Sequence, residues 1–387
     1  MAVAVDASIF ALFSVTLARA GQGTLFNVER KEVQNPSGEL RTPAIVYLTG
    51  GDKRILEKRH MYDLRRTAVL GLSLVGFSLW ADSAFAFLAY VSNEKGNSVS
   101  VIDTDKMEMI ATVKTGQRPR GIEVSRDGKF VYVALGDDDT IQIIDTKSLN
   151  IVGELPSGPD PEQFTLDPAG KTLYVANEND AMVTIIDVGK RAAIGQVTVG
   201  IEPEGMVVSP DSKVLICTSE TTSMVHFIDT TTREIVGNLL VGSRPRFSAF
   251  KADGSELWVT SEIGGSLAII DPGTRQLKQT VTFEIPGLRS EAIQPVGINI
   301  TKDGKLGFID LGPANRVAVV DGVTHAVLKY LLVGQRVWHG AFTPDEKYLL
   351  VANGVSNDIS IIDVASLRVI KSIQVGELPW GIAFGPN

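Results

Sequence analysis

Cysteine is nearly absent from this sequence of 387 residues, which contains only Cys217. A single cysteine excludes an internal disulfide, a multi-cysteine zinc site and an iron–sulfur cluster. Covalent c-type haem is excluded because no Cys-x-x-Cys-His motif occurs. Histidine is also scarce, with four residues in all, which excludes a copper site with many imidazole ligands. The sequence contains neither a Gly-x-Ser-x-Gly nucleophile elbow nor a phosphate-binding glycine loop.

Positive charge is in deficit. Lys and Arg number 37 against 45 Asp and Glu, so the formal net charge is −8. This balance argues against a dedicated nucleic-acid-binding protein, which needs a basic surface to neutralise phosphates. Apolar residues make up 44% of the chain, so global disorder is excluded and a globular protein is expected.

Long apolar runs are missing too. From Met61 the sequence shows a charged segment, an apolar run from Thr67 to Trp80, and the small residues Ala84 and Ala86. This order predicts a cleaved signal peptide over residues 61–86, because the run is shorter than the roughly 20 residues of a membrane span. An uncleaved anchor is the alternative. Cleavage predicts a periplasmic mature chain, Phe87–Asn387, without a membrane span.

Residues 1–60 precede this predicted signal peptide and share no period with the rest of the chain. We interpret them as a mis-assigned start or a disordered extension, with a genuine additional segment as the alternative. The predicted domain organisation is therefore 1–60 extension, 61–86 signal peptide and 87–387 one repeat domain.

A repeat determines the fold prediction. An apolar-apolar-Asp element places its Asp at 103, 145, 187, 229, 271, 321 and 363, with a spacing of 42 residues except for one step of 50. In the second copy we predict strands over 121–125, 130–134, 140–145 and 151–155. Seven copies of four short strands predict an all-β, seven-bladed propeller. The first copy begins at a second strand and the last ends after a first strand, so the terminal strands are predicted to close one blade together.

The recurring residues have a structural interpretation. An Asp at a strand end accepts hydrogen bonds from backbone N–H groups of the following turn. Its presence in every copy indicates that it stabilises the fold. Asn93, Asn177 and Asn353 also recur, and the segment Asp310-Leu311-Gly312 replaces the expected Asn in the sixth copy.

The segments around these Asn residues resemble the YVTN-repeat seven-bladed β-propeller family. The resemblance rests on Tyr90–Asn93, Tyr174–Asn177 and Val351–Asn353 together with the Ile-Ile-Asp elements, and it covers residues 87–387. A signal peptide followed by seven such units is similar to propeller proteins associated with pyrroloquinoline-quinone (PQQ)-dependent alcohol catabolism. The resemblance implies a periplasmic location and, as possible partners, a quinoprotein dehydrogenase or a transporter component.

The copies differ at two positions around the proline of a Gly-x-x-Pro loop, which we expect at one mouth of the central channel. Repeat geometry does not require this variation, so these positions form the predicted ligand or partner site. The residues after the proline position are Arg120, Glu162, Glu204, Arg246, Val296, Trp338 and Trp380. Those before it are Arg118, Asp160, Glu202, Arg244, Gln294, Arg336 and Leu378. His339 is added because it stands where four other copies have Gly.

Two interpretations of this ring remain open. Arg120 with Glu162, and Glu204 with Arg246, are expected to pair across neighbouring blades and close the channel. Alternatively the ring binds a small ligand or a partner, with Trp338 and Trp380 side by side at the rim as aromatic anchors.

Other loops of the same face are acid-rich and are predicted to form a solvated rim. Calcium prefers such oxygens, but their spacing matches no calcium loop, so we predict no metal site, no cofactor and no assigned catalytic residue. The inserted segment Glu284–Gln294 is a candidate lid or docking element. The acidic rim residues are Asp137, Asp138, Asp139, Glu178, Asp180, Glu220, Glu262 and Asp358.

Two functions from different classes fit the sequence. The favoured one is a non-catalytic periplasmic binding protein accessory to quinoprotein-linked alcohol oxidation. The alternative is a propeller enzyme of lactonase or lyase type acting at the channel mouth, because one propeller scaffold hosts many functions.

The signal peptide predicts where the mature protein begins. N-terminal sequencing of protein purified from the native host should give a start near Phe87. Recovery of residues 1–60 in the mature protein would contradict both cleavage and the mis-assigned start.

Overall fold

The computed structural model describes residues 87–385 and four strands nearer the N-terminus. The chain divides into two compact units, Met1–Ser83 and Ala84–Asn387. In the first unit a sheet of order β1-β2-β4-β3 is formed by β1 (Ala2–Ala7), β2 (Phe10–Thr16), β3 (Phe26–Lys31) and β4 (Ile45–Gly50). The predicted signal peptide lies outside the described residues. In the described part, no helix has the length and apolar character to cross a membrane.

The second unit consists of seven four-stranded antiparallel sheets, which are the blades. Blade 1 contains β32 (Pro379–Phe384), β5 (Leu88–Asn93), β6 (Ser98–Asp103) and β7 (Glu108–Lys114). Blade 2 contains β8 (Pro119–Val124), β9 (Phe130–Leu135), β10 (Thr140–Asp145) and β11 (Ile151–Pro156). Blade 3 contains β12 (Pro161–Leu166), β13 (Thr172–Asn177), β14 (Met182–Asp187) and β15 (Ala192–Thr198). Blade 4 contains β16 (Pro203–Val208), β17 (Val214–Ser219), β18 (Met224–Asp229) and β19 (Ile235–Leu240).

The remaining three blades repeat this order. Blade 5 contains β20 (Pro245–Phe250), β21 (Leu257–Ser261), β22 (Ser266–Asp271) and β23 (Gln276–Thr282). Blade 6 contains β24 (Ile298–Ile300), β25 (Leu306–Asp310), β26 (Arg316–Asp321) and β27 (Val327–Leu332). Blade 7 contains β28 (Val337–Phe342), β29 (Tyr348–Asn353), β30 (Asp358–Asp363) and β31 (Arg368–Gln374). The first-named strand of each blade lies innermost, and the predicted seven-bladed propeller is confirmed.

Blade 1 closes the ring. Strand β32 pairs antiparallel with β5, with Ile382 opposite Val91 and Ala383 opposite Tyr90. The predicted closure by the terminal strands of the repeat domain is therefore confirmed, and the pairing covers the inner edge of β5.

The recurring Asp residues end the third strand of each blade in the same way. The Asp145 carboxylate accepts hydrogen bonds from the backbone N–H groups of Lys147 and Ser148, at 3.2 and 2.8 Å. These bonds, with the Ser148 backbone contributing most, hold the pKa of Asp145 below its ordinary value. The other six accept turn N–H groups likewise, which confirms the structural interpretation: Asp103, Asp187, Asp229, Asp271, Asp321 and Asp363.

The core lies between neighbouring blades, where the middle strands present apolar side chains. Ala134 and Ile143 of blade 2, for example, pack with Leu173 and Val175 of blade 3. Cys217 is buried in the corresponding layer between blades 3 and 4. Burial raises the pKa of its thiol, which disfavours the reactive thiolate form.

Removing the closing strand tests the role of this pairing. Deletion of residues 381–387 should cost several kcal/mol, a large part of the ~5–15 kcal/mol that stabilises a folded domain, because it exposes strand β5 and the core behind it. Denaturant unfolding of this variant and of a control lacking only residues 386–387 measures the loss. Equal stability of the two variants would contradict closure through β32.

Candidate functional site

The loops that lead into the innermost strands share one backbone turn. In six blades the residue before the proline position has a left-handed backbone, with φ between 53° and 58°. These residues are Arg118, Asp160, Glu202, Arg244, Arg336 and Leu378. The repeated turn brings the charged residues among them to the channel mouth at equivalent positions.

Blades 2 and 3 are joined by ion pairs across this mouth. Arg118 donates hydrogen bonds to Asp160 and Glu162, and Arg120 donates to Glu162. The predicted pair Arg120–Glu162 is thereby confirmed. Burial alone would raise the pKa of Glu162, but the charges of Arg120 and Arg118 and the hydrogen bonds from Glu178 and Arg120 together outweigh burial and lower it.

A second group of ion pairs joins blades 4 and 5. Arg246 Nη2 lies 3.1 Å from Glu204, which confirms the other predicted pair, and Arg246 also donates to Glu220. Arg244 Nε lies 2.7 Å from Glu220 and 3.2 Å from Glu262. Arg246 and Glu204 are both buried, so this group lies deeper than a surface salt bridge.

Sequence reasoning missed one position of the ring. The residue directly after the second strand is Glu in four of the seven blades, namely Glu94, Glu178, Glu220 and Glu262. Three of them had been assigned to a solvated rim. That assignment is wrong for Glu220 and Glu262, which are buried against the arginines, and Asp358 is also buried. The sequence carries a signal for this position, because Glu follows the recurring Asn in blades 1 and 3 and a Ser at the equivalent position in blades 4 and 5.

The mouth contains more acidic than basic groups. Contacts among the described residues join eight buried or half-buried carboxyl groups, Glu94, Asp160, Glu162, Glu178, Glu202, Glu204, Glu220 and Glu262. They face five guanidinium groups, Arg118, Arg120, Arg244, Arg246 and Arg336. We call these thirteen side chains the charged ring.

This excess of carboxyl groups changes their acidity. Burial, followed by the hydrogen bond and negative charge of Glu162, raises the pKa of Glu178 to about 8. Burial also raises the pKa of Glu204 well above its ordinary value, to which Glu162 and Glu220 add. The ring therefore retains protons at neutral pH.

Two sets of oxygens in the ring lie close enough for a hard cation to bridge them. They are Asp160, Glu162 and Glu178, and Glu178, Glu202 and Glu220, with the oxygens of each set within 4.8 Å of one another. Glu178 belongs to both sets. The sequence predicts no metal here because the spacing of these residues does not show that they come together. Arg118 Nη2 lies 3.7 Å from Glu178, so a guanidinium group already occupies part of this region.

The residues at one equivalent position of blades 3, 5 and 7, namely Gln163, Phe247 and His339, meet across the channel. His339 Nε2 of blade 7 lies 3.4 Å from Gln163 Nε2 of blade 3, on the opposite side of the axis. The His339 ring also packs against Phe247 of blade 5 and Trp380 of blade 1, with ring centroids 5.1 and 4.4 Å apart. The remaining four blades have Gly at this position, Gly121, Gly205, Gly297 and Gly381.

The glycines are required by close backbone approach. A Cβ on Gly205 would lie 2.6 Å from the carbonyl oxygen of Arg246, and one on Gly297 would lie 2.7 Å from that of Trp338. Neighbouring inner strands therefore touch where side chains are absent, and the three larger residues fill the axis. Burial, with the nearby charges of Arg246 and Arg120, lowers the pKa of His339 well below its ordinary value, so its imidazole is neutral.

The two tryptophans differ from the predicted arrangement at the rim. Trp380 is 1% exposed and packs on His339, so its placement at the rim is wrong. Trp338 is half-buried, and the Arg336 guanidinium lies 4.2 Å from its ring centroid. The two rings have different neighbours: Trp380 packs on His339 of blade 7, whereas the guanidinium groups of Arg246 and Arg336 lie over Trp338.

Asp310 is a second departure from the repeat. Its side chain is 0% exposed, and neither carboxyl oxygen has a hydrogen-bond partner among the described residues. The equivalent residues, eleven positions before the recurring Asp, include Ser92 in blade 1 and Thr218 in blade 4. Their hydroxyls accept hydrogen bonds from the backbone N–H groups of Gly381 and Gly205, whereas the larger carboxyl group of Asp310 makes no such bond. Burial consequently raises the pKa of Asp310 well above its ordinary value.

The insertion before blade 6 reaches the charged ring. Its Ile285 and Ile293 are buried in the core between blades 5 and 6, and Ser290–Ala292 forms a short 3-10 helix. Gln294 Oε1 accepts a hydrogen bond of 2.9 Å from Arg336. The insertion is therefore anchored beside the mouth, as a lid or docking element requires.

The different burial of the two tryptophans makes a stability prediction. Trp380→Ala should cost about 3–5 kcal/mol because it removes a fully buried ring, whereas Trp338→Ala should cost much less. Urea unfolding followed by circular dichroism measures both variants. Equal stability of Trp380→Ala and the unaltered protein would show that Trp380 is not part of the core.

Comparisons with known proteins agree with this fold. A family model described as "Lactonase, 7-bladed beta-propeller" matches residues 83–197, which is less than a third of the chain. No curated protein matches the sequence.

Solved structures give the same result over a longer stretch. A putative 6-phosphogluconolactonase from Bacteroides fragilis is 22% identical with a TM-score of 0.66, covering 78% of this chain and 99% of that one. The hydrazine synthase of Kuenenia stuttgartiensis is 22% identical with a TM-score of 0.66, covering 71% and 92%. A protein of unknown function from Desulfotomaculum acetoxidans is 16% identical with a TM-score of 0.67, covering 78% and 99%. These likenesses and the closed ring of blades show a protein of the seven-bladed β-propeller fold.

Proposed function

We propose that this propeller hydrolyses a lactone at the charged ring. The observation that carries the proposal is the pairing of Glu178, a half-buried carboxyl group with a pKa of about 8, with Arg118, whose Nη2 lies 3.7 Å away. Acyl transfer to water requires a general base that titrates near neutral pH and a hydrogen-bond donor for the carbonyl oxygen. The match to the lactonase family model and the likeness to a putative 6-phosphogluconolactonase support this reaction class.

The two side chains have complementary roles in this proposal. Ionised Glu178 accepts a proton from water as the water oxygen attacks the lactone carbonyl carbon. Arg118 has five N–H donors, of which two bind Asp160 and Glu162. Its contacts with Glu94, Asp137 and Glu178 are longer, 3.6–3.7 Å, and in this proposal one of those donors turns to the carbonyl oxygen as it gains negative charge. The ring C–O bond then breaks, and Glu178 returns the proton to the leaving alkoxide. The product is a hydroxy acid.

His339 has no direct part in this reaction. It is buried in the contact across the channel with Gln163, below the half-exposed groups of the ring. We assign it a positioning role, because it packs against Trp380, whose ring lies 5.7 Å from the Arg120 guanidinium.

The accessory role in PQQ-linked alcohol oxidation, with a quinoprotein dehydrogenase or transporter component as partner, stays a prediction from sequence resemblance. The periplasmic location has the same status. Neither conflicts with a hydrolytic site, since a periplasmic propeller hosts either function equally well.

The pH dependence of hydrolysis tests the proposal. Because Glu178 acts in its ionised form, kcat/KM should rise with pH through about 8 and level off above it, after subtraction of spontaneous hydrolysis. Glu178→Gln should lower kcat roughly 100-fold or more, and Asp180→Asn, an exposed carboxyl of the same loop, should leave it unchanged. The assay follows acid release from γ-butyrolactone, δ-gluconolactone and homoserine lactone. A pH profile that is flat between 6.5 and 9, or full activity of Glu178→Gln, would contradict the role of Glu178.

A further inference from the structure

A hydroxyl side chain joins neighbouring blades at one position of the second strand. In blade 1 the Ser92 hydroxyl accepts a hydrogen bond of 3.0 Å from the backbone N–H of Gly381 and donates one of 2.6 Å to the carbonyl of Arg120 in blade 2. In blade 5 the Thr260 hydroxyl donates a hydrogen bond of 2.5 Å to the carbonyl of Val296 in blade 6. At this position, therefore, a single donor holds the inner strand of the next blade.

Blade 6 has a carboxyl group at the same position. A Cβ atom on Gly297 would clash with Asp310 Oδ2 and would lie 2.7 Å from the carbonyl oxygen of Trp338 in blade 7. The Asp310 carboxyl group thus faces the next blade beside the equivalent carbonyl. That carbonyl accepts the Gly297 N–H at 3.1 Å and has a second lone pair, which only a donor can use. The equivalent residues of blades 2, 3 and 7 are Ala134, Ala176 and Ala352.

Nothing around Asp310 compensates a negative charge. Its side chain is fully buried, and neither oxygen has a hydrogen-bond partner among the described residues. The ionisable side chains at the same end of the surrounding strands are neutral or bind other groups: Arg336, Glu262, Arg316, Asp358 and His339. An ionised Asp310 would be a buried charge without a counterion, which is costly. With a proton, the carboxyl group becomes a donor like the hydroxyl groups of blades 1 and 5.

The inner strand of blade 6 is also the shortest. Strand β24 spans three residues, whereas each of the other six inner strands spans six. It pairs with β25 over Ile298, Asn299 and Ile300 only. Because few backbone hydrogen bonds fix this strand, its position against blade 7 depends more on side chains such as Asp310.

We propose that Asp310 is a pH-sensitive latch between blades 6 and 7. With its proton it donates a hydrogen bond to the Trp338 carbonyl, and loss of the proton opens this junction to water. Opening releases strand β28, which holds Trp338 and His339 at the channel mouth. The latch is independent of the proposed function, since Asp310 takes no part in lactone hydrolysis.

The free energy of unfolding should therefore depend on pH through Asp310. In an unfolded chain an Asp carboxyl group titrates near pH ~4, whereas burial raises the pKa of folded Asp310 well above its ordinary value. The stabilisation by the latch is complete below the unfolded pKa and is lost as the pH rises through the folded pKa. Between the two, the unfolding equilibrium constant should increase about tenfold per pH unit relative to a variant without this carboxyl group.

Urea unfolding from about pH 4 to 10 compares the unaltered protein with Asp310→Thr and Asp310→Asn. Thr is the residue that blades 4 and 5 have at this position, and Asn is the neutral residue of closest shape. The unaltered protein should lose stability relative to both variants as the pH rises. Asp105→Asn, which removes an exposed carboxyl group in a turn of blade 1, should keep the pH dependence of the unaltered protein.

Two further measurements locate the effect. The infrared difference spectrum of the unaltered protein minus Asp310→Asn, near neutral pH, should contain the C=O stretch of a protonated carboxyl group. Hydrogen exchange with mass spectrometry, corrected for the intrinsic rate, should show residues 294–300 losing protection at alkaline pH. Residues 203–208 of blade 4, where Thr218 takes this position, should stay protected.

Three results would overturn the latch. The first is equal pH dependence of stability in the unaltered protein and both variants, and the second is a difference spectrum without the carboxyl band. The third is protection of residues 294–300 that does not change with pH. Failure of both variants to fold would also contradict it, because a hydroxyl or amide donor should replace the protonated carboxyl group.

Discussion

Seven inner strands converge on one axis, and the crowding there governs the rest of the structure. Neighbouring strands approach so closely that Gly205 and Gly297 have no room for a Cβ atom. Where side chains are retained, they meet across the axis, as His339 and Gln163 do. Charged residues at the strand beginnings are excluded from bulk water by the same crowding. They must neutralise one another, because an unpaired buried charge is costly.

This constraint gives the mouth its chemistry. In an open cleft the carboxyl groups would be solvated and ionised with ordinary acidity. Within the ring, burial and the proximity of Glu162 move the pKa of Glu178 to about 8, and burial raises the pKa of Glu204 well above its ordinary value. A carboxyl group that titrates near neutral pH thus results from the packing of more carboxyl groups than arginines into a ring with little access to water.

The fold was predictable from sequence to a degree that the site was not. A period of 42 residues and strands at both ends of the repeat domain were sufficient for seven blades and their closure, since repeat geometry depends on spacing alone. Pairing of Arg120 with Glu162 also followed, because adjacent blades place equivalent residues together. Contacts between non-adjacent blades did not follow. They depend on which side chain reaches the axis, as with His339 and Gln163.

Burial was the other quantity that spacing did not provide. Trp338 and Trp380 occupy equivalent positions, yet only Trp380 is fully buried, because its ring packs on His339 of the adjacent blade while arginines lie over Trp338. Glu220 and Glu262 were mistaken for solvated residues for a similar reason. Their environment is created by Arg244 and Arg246 from a separate loop.

The joint construction of blade 1 has a consequence for synthesis. The hydroxyl of Ser92 and the carbonyl of Gly381, 289 residues apart, meet within one sheet. A ribosome releases β5 long before β32 exists, so six blades can form while the first still presents a bare strand edge. Such long-range pairing is slow, and the waiting edge is a site for aggregation until the final strand emerges. The nascent chain therefore depends on a holding factor or on rapid completion.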